Sequence, residues 1–501
     1  MSSISGTSLT TTMAARTISQ MRDQLSELQR QLGTGKKSDT YGGLGLGSGL
    51  VLNLRAQLTG MSVFSSNSIN VQTRVSLMNT SLQRIGDLRD ETRSDLAAPF
   101  DFTLVQGGQS AAQRSATGRL SEMLSLLNLD AGGRYLFSGR ATDKPATDTM
   151  TRILNGEGAQ AGLKQIISER LQADQGADLR GRIQVNAAAG SIVSLAEDGT
   201  HPFGFKITGA TTSFGATITG PTGAPASLSV DLGATNPPAN GTVRITLAMP
   251  DGTSTAIELT ATTANPPGDK QFTIGATPAD TAANLTAAMD TELQRLAQVD
   301  LAAASAIQAG NDFFATDASN PPQRVAGPPF ATAIAMVDGT PANTISWYLG
   351  DNNTDNARDT SIARVDDAIT VSYGARANEE GIRWIVQNTA VFAAVGFSDS
   401  DPNARDRYYA LAGRVGAAMD VPSGMQQIEA IQTEIAGANV SAQSAKQRIA
   451  ERQPLLQDMI DGVENISDEE ISVKLLALNT RMQASLQVTA MLSQLSLVNY
   501  I

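Results

Sequence analysis

Few residue types are available for chemistry in this chain, because cysteine is absent and histidine occurs once. The lack of cysteine excludes disulfides, thiolate nucleophiles and thiolate-bound metals. A Ser-His-Asp triad or a histidine-rich metal site would depend on His201 alone, which lies in the turn-like stretch EDGTHPFGF. We therefore interpret His201 as a loop residue without a catalytic role.

The glycine-rich stretch GTGKKSDTYGGLGLGSGL at residues 33–50 could be a phosphate-binding loop. A P-loop needs G-x-x-x-x-G-K-[ST] after a strand, but Arg30 replaces the first glycine and Lys37 replaces the Ser or Thr. A dinucleotide fingerprint needs a third glycine five residues after the first, and Ser48 or Leu50 stands there. A helix is predicted before the stretch. We interpret it as a flexible linker between two helices.

The acidic clusters give no convincing catalytic or metal site. Neighbouring carboxylates at 366–367 and at 379–380 point apart in a helix or a strand. The stretch DNNTDN at 351–356 is similar to the first half of a calcium loop but lacks its glycine and its terminal glutamate. We expect a hydrogen-bonded surface turn there. The sequence thus predicts no catalytic, cofactor-binding or metal-binding residues, no cofactor and no enzymatic activity.

Charge and hydropathy restrict the partners of the protein. The net charge of −12 argues against nucleic-acid binding, which needs a cationic surface. No run of about 18 apolar residues occurs, so no insertion into a membrane is expected. The N-terminal stretch has neither the basic region nor the apolar core of a signal peptide. If the protein is exported, we expect a route that does not use a cleavable signal peptide.

Amphipathic helices are predicted at both ends of the chain. The N-terminal apolar seam has a period of 3.5, is followed by Gly33 as the predicted helix stop, and contains Ile18, Met21, Leu25, Leu28 and Leu32. The C-terminal seam follows the N-terminal signal SDEE at 467–470 and contains Ile471, Leu475, Leu478, Met482, Leu486, Leu492 and Leu495. Neither helix can bury its seam alone. We expect the two ends to pair with each other and then with neighbouring copies; an intramolecular bundle is the alternative.

Long helices adjoin these ends, and β-structure is predicted between them. One helix should run from Val51 to about Pro99, and another from near Ser423 to Pro454, with Ile428, Ile431, Ile435 and Val440 on one face. Alternating residues around 203–207, 228–232 and 243–259 predict strands, with a hairpin at PDGT. A single helix capped by Thr277 should lie in this region, with Leu285, Met289, Leu293 and Leu296 on one face.

The predicted fold is therefore mainly α with an inserted β-rich domain. Five segments are expected. The inner helices occupy 1–50 and 466–501, the two parts of the helical rod occupy 51–180 and 331–465, and the β-rich insert occupies 181–330.

Both helical arms resemble the bacterial flagellin superfamily, over about residues 1–140 and 370–501. The resemblance is carried by GRYLFSGR at 133–140, VSYGARANE at 371–379 and the ending ASLQVTAMLSQLSLVNYI. The last residues, SLVNYI, are similar to the tails of the members that join the flagellar hook to the filament. The glycine-rich stretch lies where this family places the spoke next to its innermost helix, although it lacks the acidic run of many members.

The resemblance implies a structural protein of the flagellum. Its terminal helices would form a coiled-coil inner domain, its next segments a rod domain, and its middle an outward-facing insert. It implies secretion through the flagellar export apparatus with the help of an export chaperone. The implied partners are copies of the same chain, hook-associated protein 1 and flagellin. Two alternatives remain open: a flagellin that forms the filament itself, and a surface adhesin on a helical stalk.

Overall fold

The computed structural model describes residues 4–97, 102–105, 108–317 and 319–498. About 53% of the chain is helical and several sheets are antiparallel, in agreement with a mainly α fold that contains β-structure. The α-helices of the described residues are α1 (Ile4–Thr34), α2 (Gly47–Ala97), α3 (Ala111–Leu127), α4 (Met150–Asn155), α5 (Leu163–Gln175), α6 (Pro278–Gln298), α7 (Asp300–Phe314), α8 (Glu380–Ala394), α9 (Ala404–Ala418), α10 (Ile428–Glu464) and α11 (Asp468–Val498).

Most strands lie in the middle of the chain. The strands are β1 (Leu104–Val105), β2 (Gln109–Ser110), β3 (Ile183–Ala189), β4 (Ile192–Glu197), β5 (Lys206–Thr212), β6 (Thr217–Thr222), β7 (Ser227–Asp231), β8 (Thr242–Ala248), β9 (Ser254–Thr262), β10 (Gln271–Thr273), β11 (Gln323–Val325), β12 (Met336–Asp338), β13 (Ile362–Arg364) and β14 (Thr370–Ser372). Two sheets have four strands each, in the orders β3-β4-β7-β6 and β10-β9-β8-β5. The pair β9–β10 is parallel, and β8–β9 is antiparallel.

The chain divides into two compact units. The first contains the described parts of residues 1–70, 363–371 and 440–501, and the second contains those of 71–362 and 372–439. The division falls inside α2 and α10, so each of these long helices contributes to both units. The boundaries predicted at 50, 180, 330 and 465 remain a prediction.

Alternating side chains build the core of the β-structure, as predicted. Val243, Ile245 and Leu247 on β8 and Ile257 and Leu259 on β9 are all buried. The hairpin around PDGT closes with the Met249 N–H donating to the Thr253 carbonyl oxygen at 2.8 Å. One detail of the prediction is wrong: Phe203 and Phe205 precede β5 rather than lying in it, although both are buried.

Helix α6 packs its predicted face into the same core. The Thr277 hydroxyl accepts from the Asp280 N–H, and the Asp280 carboxylate accepts from the Thr277 N–H, which forms a reciprocal cap with Pro278 in the first turn. The predicted core residues of this helix are all buried: Leu285, Met289, Leu293 and Leu296.

A second helix follows α6 directly, so the prediction of a single helix here is wrong. Only Val299 separates α6 from α7. Most residues of α7 are buried. Its polar residues Gln308, Asn311 and Asp312 lie on one side of the helix and bond to other side chains inside the protein.

Three predicted positions on the long helices differ from the structure. Helix α1 continues through Gly33 to Thr34, and Gly35, with φ of 68°, is the residue that leaves the helical conformation. Helix α10 begins at Ile428 and continues through Pro454 to Glu464. Val440 is 63% exposed, because the buried stripe continues from Ile435 through alanines, which are Ala438, Ala442 and Ala445. Pro99 lies outside the described residues.

Candidate assembly interface

The first part of the glycine-rich connection between α1 and α2 is hydrogen-bonded to the connection between α10 and α11. The Lys37 N–H donates to the Glu464 carbonyl oxygen at 2.7 Å, and the Ile466 N–H donates to the Gly35 carbonyl oxygen at 3.0 Å. The Lys37 ammonium donates to the Gly462 carbonyl oxygen at 3.0 Å. The α1–α2 and α10–α11 connections therefore bind each other, and a helix rather than a strand precedes the glycines, unlike in a phosphate-binding loop.

His201 lies in a loop, as predicted, but it is buried in a polar cluster. Its Nε2 atom is 2.6 Å from the Asp198 carboxylate and 2.9 Å from Arg182, and its Nδ1 atom accepts from the Phe203 N–H at 3.3 Å. The remaining Arg182 donors reach the Ala331 and Ala333 carbonyl oxygens. Both ring nitrogens are thus used inside the protein, which indicates a structural role.

The acidic clusters are neutralised by arginines. Asp351 accepts from the Arg376 guanidinium at 3.1 Å and from the Asn353 N–H at 3.3 Å, and it lies 3.5 Å from Arg140. The stretch 351–356 bends at 354–355 without forming a turn, and the Asp351 side chain is 7% exposed, so the expected surface turn is not found. Asp366 pairs with Arg448 at 3.1 Å, and Glu379 pairs with Arg358. In the described part of the chain, no group of three or more potential ligand residues could hold a metal ion.

The two terminal helices pack against each other in the first unit. Helix α1 ends, and helix α11 begins, at the bonded connections, so the two helices run antiparallel. The groove that they share is lined by Leu28, Ala477 and Leu478, with Asp23 and Glu27 from α1 and Lys474 and Arg481 from α11 among its polar residues. The pairing of the two ends within one chain is therefore observed.

Most N-terminal seam residues are at least half-buried, and Leu28 lines the groove. Met21 is buried, and Ile18, Leu25 and Leu28 are half-buried, whereas Leu32 in the last turn of α1 is 46% exposed.

The C-terminal seam departs from the prediction after Met482. Ile471 and Leu478 are buried, Leu475 and Met482 are half-buried, and Leu486 is 52% exposed. The step from 482 to 486 leaves the 3.5-residue period, so the half-buried Ser485 and Thr489 take the inward positions. The side chains of Leu492 and Leu495 lie outside the described residues.

Helix α11 also carries an apolar stripe on its opposite side, which the sequence analysis did not separate from the seam. This outer stripe consists of Val473, Leu476, Val488 and Met491, which are all more than half exposed. At about 100° per residue, Val473 and Met491 are turned by about 180° from the centre of the seam, Leu476 by about 130° and Val488 by about 110°. The sequence did contain a sign of this stripe. Val473 and Leu476 precede the seam residues Leu475 and Leu478 by two positions each and have the same three-residue spacing. Helix α11 therefore exposes apolar side chains away from α1 near 473–476 and near 488–491, with the polar Thr480 and Gln487 on the same side between them.

Parts of α2 and α10 form a separate small apolar core in this unit. Val51 and Leu54 of α2 pack against Leu456 and Ile460 of α10. The Arg55 guanidinium binds both carboxylate oxygens of Glu464 at 2.7 and 2.8 Å, and this hydrogen bonding raises the pKa of Arg55.

Exposed large apolar side chains are concentrated in the first unit. Among the described residues, sixteen of them lie in this smaller unit and seven in the second unit. Besides the outer stripe, those of the first unit are Met13, Leu32, Tyr41, Leu46, Leu50, Leu52, Val63, Ile69, Val440, Leu455, Met459 and Leu486. The first unit, although smaller, therefore exposes more than twice as many large apolar side chains as the second among the described residues.

Across the described helices, none has the length and apolar character needed to cross a membrane. The chain matches no protein-family model and no curated protein sequence.

Proposed function

We propose that this protein is a structural subunit of the bacterial flagellum that assembles through its terminal helices at the junction of hook and filament, as hook-associated protein 3 does. The observation that carries the proposal is the outer stripe of α11, because an apolar stripe opposite the α1 contact needs a further partner. No enzymatic activity and no cofactor are part of the proposal.

A second copy of the chain is the partner that we infer for the outer stripe. Burying one Val, Leu or Met side chain contributes roughly 1.5–3 kcal/mol, so the four stripe residues contribute on the order of 6 kcal/mol before ordering costs. Contact of this stripe with a different surface of the next copy is head-to-tail, and such contacts generate rings or helical tubes. A ring or tube is the architecture that a flagellar subunit requires.

The sequence resemblance supports the remaining parts of the proposal. Terminal helices that pair side by side fit a coiled-coil inner domain in the assembly. The residues between them would form the rod domain and an outward-facing insert. Hook-associated protein 1 and flagellin would be the neighbours along the axis, and an export chaperone would cover the apolar stripe before secretion.

The filament flagellin is a second candidate within the same class, because the same outer stripe could serve a filament. The ending SLVNYI favours the junction. Immunogold labelling of intact flagella distinguishes the two candidates. A band confined to the end of the hook is expected, whereas label along the whole filament would favour the flagellin.

Charges placed in the outer stripe should prevent assembly. The double variant Val473→Asp/Leu476→Asp leaves the α1 contact intact and puts two carboxylates where an apolar partner surface is expected. We expect a secreted, folded subunit that is missing from isolated flagella, with loss of motility. The matched control is Asn479→Asp, which adds one exposed charge to the same helix outside the stripe. Normal incorporation of the double variant would contradict the proposal.

A further inference from the structure

Two buried carboxylates share one arginine in the second unit. The Arg170 guanidinium on α5 lies 2.9 Å from Asp174 through Nε and 2.9 Å from Asp312 on α7 through Nη1. The side chains of Arg170, Asp174 and Asp312 are 5%, 0% and 13% exposed. With both carboxylates ionised, the cluster would hold one uncompensated negative charge away from water, which is costly.

No second cation compensates this charge. Another Arg170 nitrogen donates to the Pro202 carbonyl oxygen at 3.1 Å, and its guanidinium lies 5.1 Å from the centre of the Phe203 ring. Among the described residues, Arg170 is the only cation within ion-pair distance of Asp174 or Asp312.

Lys164 of α5 and Arg405 of α9 are exposed and form no ion pair with the cluster. The other basic groups on the surrounding elements have partners of their own. They are Arg152 of α4 with Asp148 and Glu157, Arg182 with Asp198 and His201, Arg295 of α6 with Glu292, Arg324 of β11 with Glu169, Arg383 of α8 beside Glu380 and Asp317, Arg407 of α9 with Asp401, and Arg414 of α9 with Asp251 and Asp300.

The hydrogen bonds distinguish the two carboxylates. Asp174 Oδ1 accepts from the Gly204 N–H at 2.9 Å, and a backbone N–H cannot become an acceptor. Asp312 Oδ1 instead lies 2.8 Å from the side-chain amide of Gln308, one turn earlier on α7. A primary amide can rotate by about 180° and present its oxygen. A proton on Asp312 Oδ1 can therefore be donated to Gln308, at the cost of the 3.4 Å hydrogen bond from the Asn311 amide to the Gln308 oxygen. Asp174 has donors in Arg170, Gly204 and the Ser305 hydroxyl, whereas Asp312 has only Arg170 and Gln308, so the negative charge is better stabilised on Asp174 and the proton is placed on Asp312.

We propose that Asp312 takes up a proton when the second unit folds, so that Arg170, Asp174 and Asp312 become a neutral cluster and the unit is more stable in mildly acidic than in alkaline solution. The proton remains on Asp312 Oδ1 and is hydrogen-bonded to Gln308. The inference does not depend on the flagellar role.

The direction of the pH dependence follows from the carboxyl groups. Burial raises the pKa of Asp312 and of Asp174, and the charge of Arg170 opposes the increase only in part. A carboxyl whose pKa is raised by folding stabilises the folded state below its unfolded pKa, and this contribution is lost as the pH rises through the folded pKa. Stability should therefore fall with rising pH above the ordinary aspartate range.

Urea unfolding followed by tryptophan fluorescence tests the proposal on the full chain. Both tryptophans, Trp347 and Trp384, lie in the second unit and report on it. Between pH 5 and pH 8 we expect the folding equilibrium constant of the wild type to fall by up to about tenfold per pH unit in part of this range, because one proton is released on unfolding. Asp312→Asn should remove this slope and unfold at higher urea than the wild type at pH 8.

Glu169→Gln is the matched control, because Glu169 is a buried carboxylate on α5 that has its own cation, Arg324. This variant should be less stable at every pH and should keep the wild-type slope. A wild-type slope in Asp312→Asn would overturn the proposal. If Asp312→Asn does not fold, proton uptake during refolding near pH 6.5 decides the question: uptake of about one proton per chain by both the wild type and Glu169→Gln supports the proposal, and no uptake by either overturns it.

Discussion

At the scale of single residues, Gly33 and Gly35 near the end of the first helix differ in backbone conformation. Gly33 lies within α1, whereas Gly35 has φ of 68°, and a Cβ added at either position would meet no atom within 4 Å. An alanine at either position would therefore meet no steric obstacle. Any difference in stability between the two alanine variants must come from the backbone conformation at each position. A helical alanine is favoured over glycine, and an alanine at positive φ is strained.

We predict that Gly35→Ala destabilises the end of α1 by about 1 kcal/mol, and that Gly33→Ala stabilises it by about 0.5–1 kcal/mol. Amide hydrogen exchange of residues 25–34 in the two variants and the wild type measures both effects. Equal effects of the two substitutions would show that α1 ends elsewhere.

The residues of the buried cluster show why its chemistry could not be predicted from the sequence. Arg170 and Asp312 are separated by 142 positions, and the spacing of neither residue within its own helix indicates the other. His201 was predictable as a loop residue, but its partners Asp198 and Arg182 were not, because ion pairs formed by folding leave no periodic pattern.

At the scale of helices and strands, apolar periodicity was a reliable guide wherever one side of an element is polar. The alternating strands β8 and β9 and the face of α6 were predicted correctly for this reason. The outer stripe of α11 was missed because two apolar stripes on one helix cancel in such an analysis. Leu486 was wrongly predicted to lie in the seam. The inward positions there are occupied by Ser485 and Thr489, which are not apolar.

Pro454 gives a prediction at this scale. It lies inside α10 and is exposed, so the helix lacks one backbone hydrogen bond there without gaining a buried contact. We expect Pro454→Ala to stabilise this part of α10, by up to about 3 kcal/mol. Slower amide exchange over residues 448–462 is the expected result, with Gln457→Ala as a neutral control. Unchanged or faster exchange would contradict this prediction and indicate that Pro454 stabilises the local helix conformation.

At the scale of the whole molecule, the two units differ in what their surfaces expose. Among the described residues, the second unit exposes seven large apolar side chains and the smaller first unit exposes sixteen. In our proposal, further copies of the chain cover this apolar surface of the first unit. The flagellar proposal combines this contrast with the resemblance of both helical arms.

The central claim is that the outer stripe of α11 becomes buried when copies assemble, and the absence of cysteine makes it directly measurable. Val473→Cys places a single thiol in the stripe, and Thr217→Cys places one on an exposed strand of the second unit. Both variants should react with a maleimide as purified subunits, and in intact flagella the thiol at 473 should be protected while that at 217 still reacts. Equal labelling of position 473 in subunits and in intact flagella that contain the variant would contradict the claim.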